Sequence, residues 1–226
     1  MQSPLPSQAL AGINPEFLRR GSATSGLLLV LFLLLHLAGV ALAPWAPARF
    51  ESYATSLHSS GWLPLAEVVL LAVALLHLGL SVARWLINRR AGNTAVLRSR
   101  RVGPLAPVAA FAARSQAAGG MALLVFMAVH LAQLRWPRPM AGSELAALQS
   151  VLASPWSLAL YLAGAVAVAL HLFHGGEAAH RSLGLLQAAN GSLIRSAARL
   201  LALLVGGGFI VITILLAVPA LAGGGA

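Results

Sequence analysis

The sequence has 226 residues, of which 59% are hydrophobic and 9% are charged, and its mean hydropathy is +0.84. Soluble domains carry about a quarter of charged residues, so this composition predicts a membrane protein. The net charge of +10 comes from 15 Arg and no Lys, set against five Glu and no Asp. Because these arginines lie between apolar segments, they indicate membrane orientation and not nucleic-acid binding. The absence of cysteine excludes disulfides, cysteine-ligated iron–sulfur clusters and covalent cofactor attachment through cysteine.

Five apolar stretches are long enough to cross the membrane as α-helices, which takes about 20 residues each. They run near 24–43, 62–86, 117–134, 156–176 and 199–222. The predicted fold class is therefore an all-α membrane protein with five transmembrane helices. The chain divides into a cytoplasmic N-terminal segment, a transmembrane domain and an outer C-terminal tail, at 1–23, 24–222 and 223–226.

The arginines predict the orientation of these helices, because cytoplasmic loops are enriched in basic residues. Counted on alternate sides of the membrane, twelve lie on the N-terminal side and three on the other, namely Arg49, Arg135 and Arg138. We therefore expect a multi-pass membrane protein with its N-terminus on the cytoplasmic side and its C-terminus outside. The first apolar stretch could instead be a signal peptide cleaved after Ala41-Leu42-Ala43, but its basic flank begins late and the segment recurs further along the chain.

The recurrence is an internal repeat with an offset of 94 residues. Residues 20–38 and 114–132 are identical at eight of nineteen positions, and His36 falls on His130. The same offset places His77 on His171, each flanked by two leucines. Each unit holds two helices and keeps its orientation, which predicts a pseudo-twofold axis along the membrane normal.

The four repeated histidines occupy two depths. At about 1.5 Å per residue, His36 and His130 lie roughly 8–12 Å from the outer ends of their helices, and His77 and His171 roughly 9–11 Å from the inner ends. Two pairs at two depths, each joining repeat-related helices, fit bis-imidazole ligation of two stacked haems. The alternative is that these histidines form hydrogen bonds between helices, but this alternative does not explain why their positions match.

Polar residues near the inner end are candidates to bind the propionates of the inner haem. Arg20 and Arg114 lie sixteen residues before His36 and His130, and Ser22 and Gln116 follow them by two residues. Such donors form charge-assisted hydrogen bonds with carboxylates. Anchoring of the two arginines at the cytoplasmic surface explains them equally well.

His174 is an alternative to His171 as a ligand, because it lies three residues away on nearly the same helix face. Its repeat partner is Leu80, so we assign His171 as the ligand and place His174 at the haem edge. The remaining histidines, His58 and His180, lie outside the predicted spans and are expected to be solvated.

This pattern resembles the diheme cytochrome b subunit of bacterial succinate dehydrogenase and quinol:fumarate reductase, over about residues 17–222. The similarity lies in a five-helix anchor with haem ligands on its first four helices and in two short motifs. One is Arg-x-Ser-x-x-Ser-Gly from Arg20 to Gly26, and the other is a sequence of the type His-x-x-x-His-x-x-Ser-Leu-Gly between His171 and Gly184.

The resemblance implies a subunit of a quinone oxidoreductase that carries two haems b and uses a quinone, with menaquinone favoured. It implies flavoprotein and iron–sulfur subunits docked on the cytoplasmic face, at the Arg-rich loop 84–116 and at 177–199, and no dicarboxylate site on this chain. Some fumarate reductases of this type have a proton-conducting Glu two residues before the fourth-helix ligand. This chain has Ala169 there, so that proton path is not expected.

Glu67 is the only carboxylate within a predicted span. It lies about 7–8 Å below the outer surface, near the level of His36 and His130. A carboxylate there can exchange the protons that quinone chemistry requires, which makes Glu67 a candidate catalytic residue. The alternative is a purely structural role, because the helix dipole and headgroup water favour Glu in the first turns of a helix.

Two other functions stay open. A stand-alone transmembrane diheme electron carrier of another cytochrome b family also pairs histidines on alternate helices, but usually has six helices and needs no soluble partner. A transporter or assembly factor with packing histidines would bind no haem. A flavin-bearing companion separates the first alternative from the oxidoreductase subunit, and a visible absorption spectrum separates the second.

Overall fold

The computed structural model describes residues 14–91, 104–137 and 139–223, and the regular elements in these ranges are all helices. In chain order they are α1 (Pro15–Trp45), α2 (Pro47–His58), α3 (Leu63–Arg90), α4 (Ala106–Arg114), α5 (Gln116–His130), the π-helix π1 (Leu131–Arg135), α6 (Glu144–Leu152), α7 (Pro155–Ser182), α8 (Gly191–Ala202), the π-helix π2 (Leu203–Gly207) and α9 (Gly208–Gly223).

Within the described ranges, five stretches of helix are long and apolar enough to cross a membrane, which confirms the predicted number. We number them as span 1 (α1), span 2 (α3), span 3 (α5 with π1), span 4 (α7) and span 5 (α8 through π2 to Val218 in α9). The end of the bundle where span 1 begins is called the inner end, and the opposite end the outer end. Most of these helices extend beyond the apolar stretches, because polar residues form their terminal turns.

Span 1 illustrates this extension, since it begins at Pro15 and not near residue 24. The Asn14 side chain accepts a hydrogen bond from the Glu16 backbone N–H at 2.8 Å, which satisfies one of the free donors of the first helical turn. Proline in the first turn lacks the N–H that would otherwise be left unpaired. Residues 15–23, expected to precede the transmembrane domain, are therefore helical and continuous with span 1. Residues 1–13 of that segment and 224–226 of the predicted tail lie outside the described ranges.

The spans pack in the order 2–1–4–3, and span 5 lies across spans 1 and 4. Span 2 packs against span 1 and span 3 against span 4, so the two helices of each predicted repeat unit are neighbours. Among the described elements, span 1 is the only one against which span 2 packs extensively. In a closed four-helix bundle each helix packs against two neighbours, so protein packing alone leaves one side of span 2 open.

Span 5 approaches span 4 closely through Gly206 in π2. A Cβ atom built on Gly206 would lie 2.5 Å from the Cβ of Ala169, so only glycine fits at this contact. Ala169 is the position that we compared above with the proton-conducting Glu of some fumarate reductases. Here span 5 fills the space that a longer side chain at that position would occupy.

Two short helices cover the outer end. The Glu51 carboxylate in α2 accepts hydrogen bonds from the backbone N–H groups of Glu144 and Leu145, at 3.1 and 2.9 Å. It thereby caps the N-terminus of α6, where the helix dipole favours a negative charge. Together with the outer ends of spans 1, 4 and 5, these helices bury a cluster that includes Leu37, Phe50, Leu152, Tyr161 and Ile212.

Candidate functional site

The four repeated histidines meet as two pairs. The ring centroids of His36 in span 1 and His130 in span 3 lie 6.0 Å apart, and the ring planes are inclined by 80°. Those of His77 in span 2 and His171 in span 4 lie 6.4 Å apart, inclined by 76°. These are the partners that the repeat and the depth estimate predicted. Two imidazoles facing each other across such a gap can hold one metal ion between them.

Around the outer pair, which is His36 with His130, one contact recurs with the offset of the repeat. Phe32 stacks on His36 with ring centroids 5.5 Å apart and planes inclined by 12°. Phe126 stacks on His130 at 5.6 Å and 26°. Each phenylalanine lies one helical turn before its histidine, so the aromatic ring lies directly against the imidazole.

Around the inner pair, which is His77 with His171, the contacts come from the inner turns of spans 1 and 3. His77 Nδ1 lies 3.0 Å from the Ser22 carbonyl oxygen and 3.3 Å from Ser25 Oγ. His171 Nε2 lies 3.3 Å from Gln116 Nε2, and Ser22 and Gln116 are themselves related by the offset of 94. Of the two polar residues predicted near the inner haem, Gln116 contacts an inner imidazole through its side chain, whereas Ser22 does so through its backbone carbonyl.

Two glycines give the inner imidazoles room. A Cβ on Gly26 would lie 3.0 Å from His77 Cε1, and a Cβ on Gly120 would lie 3.6 Å from His171 Cε1. These glycines also occupy equivalent positions in the repeat. Spans 1 and 3 thus each pass the inner pair at a residue with no side chain, although the approach is tighter in the first unit.

Arg84, which the sequence did not single out, reaches the surroundings of the inner pair. Its Nη1 donates a hydrogen bond of 2.6 Å to Ser22 Oγ, and the Ser22 side chain is buried. Arg84 lies seven residues after His77, two helical turns along the same face. That spacing was visible in the sequence, but it did not distinguish Arg84 from the other arginines of the inner side.

The two arginines predicted near the inner haem have other surroundings. Arg20 forms an exposed ion pair of 2.7 Å with Glu16, one turn earlier in span 1. Arg114 is the last residue of α4, immediately before span 3. His174 lies one turn beyond His171 in span 4. Within the described ranges, neither Arg20 nor Arg114 forms a hydrogen bond with the inner pair.

A tyrosine that the sequence did not identify contacts the outer pair. Tyr161 Oη lies 3.2 Å from His130 Nδ1. Its ring also lies edge-to-face with Phe126, at 5.2 Å. The repeat partner of Tyr161 is Glu67, so the signal that could have identified Tyr161 was its equivalence to a residue already under consideration.

Glu67 itself is held by Arg135. Its two carboxylate oxygens accept hydrogen bonds of 2.6 and 2.7 Å from Arg135 Nε and Nη2. This bidentate pair joins the outer part of span 2 to the end of π1 in span 3. The carboxylate that the sequence identified as a proton-exchange candidate therefore also has a structural role between two spans.

A groove of about 510 Å³ runs between α4, span 3 and span 4. Its walls are mostly apolar, with small residues such as Gly119, Ala122 and Ala167. Gln116 and His171 contribute polar atoms to the same groove. Its size is within the range of small-molecule sites, and it adjoins one imidazole of the inner pair.

No protein family model, curated protein or solved structure matches the chain. Within the described ranges, no group of three or more His, Cys, Asp or Glu side chains is arranged to hold a metal ion. What the site can bind must therefore be argued from the two histidine pairs and their surroundings.

Proposed function

We propose that this chain is the membrane anchor and diheme cytochrome b subunit of a bacterial succinate:quinone oxidoreductase, passing electrons between an iron–sulfur subunit and membrane quinone. The observation that carries the proposal is the spacing of the two histidine pairs. In both pairs the imidazoles are separated by the distance that a bis-histidine metal site requires.

The distance follows from simple geometry. A metal–imidazole nitrogen bond is about 2 Å long, and the centroid of an imidazole ring lies about 1.1 Å from each ring nitrogen, given ring bonds of about 1.35 Å. Two such ligands on opposite sides of one metal ion therefore have centroids about 6.2 Å apart. The measured separations are 6.0 Å for His36 with His130 and 6.4 Å for His77 with His171.

The donor set fits haem better than a bare ion. Each site offers two imidazoles, so the remaining donors must come from the bound group, as they do from a porphyrin. His171 Nδ1 is buried and has no hydrogen-bond partner, a costly state for a nitrogen in hydrocarbon. Binding to the iron would relieve this cost, and in this ring the ligand would be Nδ1, because Nε2 already contacts Gln116 at 3.3 Å. The apolar groove of about 510 Å³ that adjoins His171 provides space next to the inner pair.

The residues around the rings would orient them as ligands. When Nε2 of a neutral histidine binds iron, Nδ1 carries the proton and needs an acceptor. For His77 this acceptor is the Ser22 carbonyl at 3.0 Å, which fixes the tautomer. Arg84 adds positive charge beside this carbonyl through its bond to Ser22 Oγ, and Arg20, Arg114 and His174 stay candidates for the haem edge and propionates.

Haem in these sites would supply one-electron transfer between the two faces of the bundle. The oxidation of succinate to fumarate releases two electrons and two protons, and a quinone that takes up two of each becomes a quinol. We assign the succinate reaction to a flavoprotein and the first transfers to a Cys-rich iron–sulfur subunit, because this chain has no cysteine. Both would dock on the cytoplasmic inner end, where most of the arginines lie, and the lipid-soluble quinone, menaquinone by preference, would reach the chain from the bilayer.

The first test is to purify the chain from its native membrane in mild detergent. We expect a b-type absorption spectrum, about two haems per chain by pyridine haemochrome assay, and co-purification of a flavin-bearing and an iron–sulfur subunit. A protein with two haems but no partner subunits would instead favour a stand-alone electron carrier. A protein without haem would rule out both functions.

A further inference from the structure

We propose that Tyr161 is a positioning residue, which fixes the ring of His130 and makes the outer haem site electronically different from the inner one. This inference rests on the proposed function, because it concerns how a haem ligand is held. It assigns a role to a residue that neither the histidine pattern nor the repeat identified.

The phenol of Tyr161 is held firmly against His130. Oη lies 3.2 Å from Nδ1, and only 8% of the Tyr161 surface is exposed. Phe126 stacks on His130 and meets Tyr161 edge-to-face. Phe126 is itself fixed by Gly164, whose added Cβ would lie 2.7 Å from the Phe126 ring. Neither the phenol nor the imidazole can rotate freely, so their contact is a stable part of the site.

The contact has a defined direction once the histidine binds iron. With Nε2 on the metal, the neutral His130 ring carries its proton on Nδ1 and donates it to Tyr161 Oη. The inner ligand His77 makes the corresponding bond to the Ser22 backbone carbonyl, at 3.0 Å. A phenol oxygen is a weaker hydrogen-bond acceptor than a peptide carbonyl, so it polarises the N–H bond less. His130 therefore donates less electron density to iron than His77 does.

The repeat does not supply this contact in the first unit. The position equivalent to Tyr161 is Glu67, whose carboxylate binds Arg135 through both oxygens. The phenol is thus specific to His130. The two repeat units differ at this position, so the Tyr161 side chain holds His130, whereas Glu67 in the first unit binds Arg135.

The test is Tyr161→Phe in the complete complex, with Tyr53→Phe as a matched control. Tyr53 is the only other tyrosine of the chain, and its ring lies at the outer end against Gly39. We expect Tyr161→Phe to retain both haems and to raise the midpoint potential of the outer haem, with a several-fold change in its reduced-to-oxidised ratio at fixed potential. The low-spin EPR signal of the outer haem should shift, and the inner haem should be unchanged. Tyr53→Phe should alter neither haem.

A second variant keeps the inference testable if Tyr161→Phe loses the outer haem. In a Tyr53→Phe background, Tyr161 is the only tyrosine of this chain, so growth on 3-fluorotyrosine changes the acceptor strength of that one phenol within the chain. The inner haem, which should not shift, controls for the tyrosines of the partner subunits. A smaller upward shift of the outer potential would support the inference, whereas an unchanged potential in this protein would overturn it. An unchanged outer haem in Tyr161→Phe, or a shift of the inner haem instead, would also overturn it while leaving the proposed function intact. A wild-type protein that lacks haem would contradict the proposed function itself.

Discussion

The inner and outer histidine pairs have nearly the same internal geometry but different surroundings. Their centroid separations differ by less than half an ångström, at 6.4 and 6.0 Å. The inner imidazoles contact backbone and polar groups, whereas the outer imidazoles contact aromatic rings from four helices, namely Phe32, Phe126, Tyr161 and Phe209. The offset of 94 residues relates the two histidines within each pair and not one pair to the other, so two different sets of surrounding side chains hold the imidazoles at nearly the same spacing.

The aromatic and the polar surroundings lie at opposite ends of the bundle. Span 5 contributes Phe209 against His36, with ring centroids 5.8 Å apart, and α2 and α6 cover the outer end. At the inner end, Arg84 and Ser22 link the His77 surroundings to the arginine-rich side. In the proposed function, electrons would enter at the inner pair, where the polar surroundings adjoin the docking face.

The sharpest test of the comparison is to remove one ligand from each pair. We expect His77→Ala to lose the inner haem and His36→Ala to lose the outer one, because bis-histidine ligation fails without one axial nitrogen. Pyridine haemochrome stoichiometry and low-spin EPR would measure each loss. His58→Ala, in α2, should retain both haems. If the first two variants lost the same haem, the assignment of the pairs would be wrong.

A smaller effect is expected from the glycines beside the inner pair. In Gly26→Ala the new Cβ would lie 3.0 Å from His77 Cε1, which requires the ring to move, whereas in Gly120→Ala it would lie 3.6 Å from His171 Cε1, an ordinary contact. We expect the first variant to shift the EPR signal of the inner haem and to release that haem at lower temperature, and the second to behave like wild type. Gly79→Ala, whose Cβ meets nothing within 4 Å, is the control. If the three variants had equal effects, the cause would be the change in helix propensity and not the contact with the imidazole.

The number of spans and the partners of the four histidines could be predicted from the sequence, because hydropathy and an exact repeat offset both survive divergence. The contacts of Tyr161 and Arg84 could not, since they depend on how each helix is rotated and tilted against its neighbour. The Glu67 pair with Arg135 was missed for a further reason. The π-helix after His130 adds residues to the turn, which changes the direction of Arg135 relative to a regular helix.

The ion-pair partner of Arg20, in contrast, could have been predicted from the sequence. Glu16 lies four residues earlier, the spacing at which acidic and basic side chains meet on a helix, and the structure has this pair at 2.7 Å. The span was predicted to begin near residue 24, so Glu16 and Arg20 were not considered as members of one helix. A helix start at Asn14-Pro15, a favourable N-cap and first-turn sequence, would have indicated it.

The ion pair between spans 2 and 3 provides a third test, which separates a structural from a catalytic role of Glu67. The pair joins the two spans through both carboxylate oxygens, so removing either partner should lower stability. We expect Glu67→Gln and Arg135→Gln to lower thermal stability alike, and the double variant to be no less stable than either, because one shared contact is lost. If Glu67 also exchanges protons with quinone, turnover should fall more in Glu67→Gln than in Arg135→Gln while both haems stay bound. Equal turnover in the two variants would assign Glu67 to the ion pair alone.

The smallest effect is expected at the outer end, where α2 meets α6. Burial of the Glu144 carboxylate acts to raise its pKa, but hydrogen bonds from the backbone N–H groups of Glu144 and Gly142 and the contact with His58 outweigh burial and lower the pKa below its usual value. The contact of Glu144 Oε1 with His58 Nδ1, at 3.4 Å, is an ion pair only when the imidazole is protonated. The carboxylate is thus favoured by its surroundings in the folded protein.

A lowered pKa gives the pH dependence its sign. Below the unfolded value of 4.5 the unfolded chain binds more protons at Glu144 than the folded protein does, so stability is retained above that pH and lost as pH falls through the lower, folded pKa. We expect the thermal midpoint of the wild type to decrease as the pH is lowered from 6 to 3.5. The midpoint of Glu144→Gln should be lower than that of the wild type at pH 6 but should change less with pH. Each 1 kcal/mol of lost unfolding free energy should lower the midpoint by about 2–4 °C. Glu16→Gln, which removes an exposed carboxylate at the opposite end, should leave the pH dependence unchanged. If the midpoints of wild type and Glu144→Gln changed equally with pH, the groups responsible for the pH dependence would lie elsewhere. Haem release measured in the same samples would show whether unfolding at α6 affects the outer pair before the inner one.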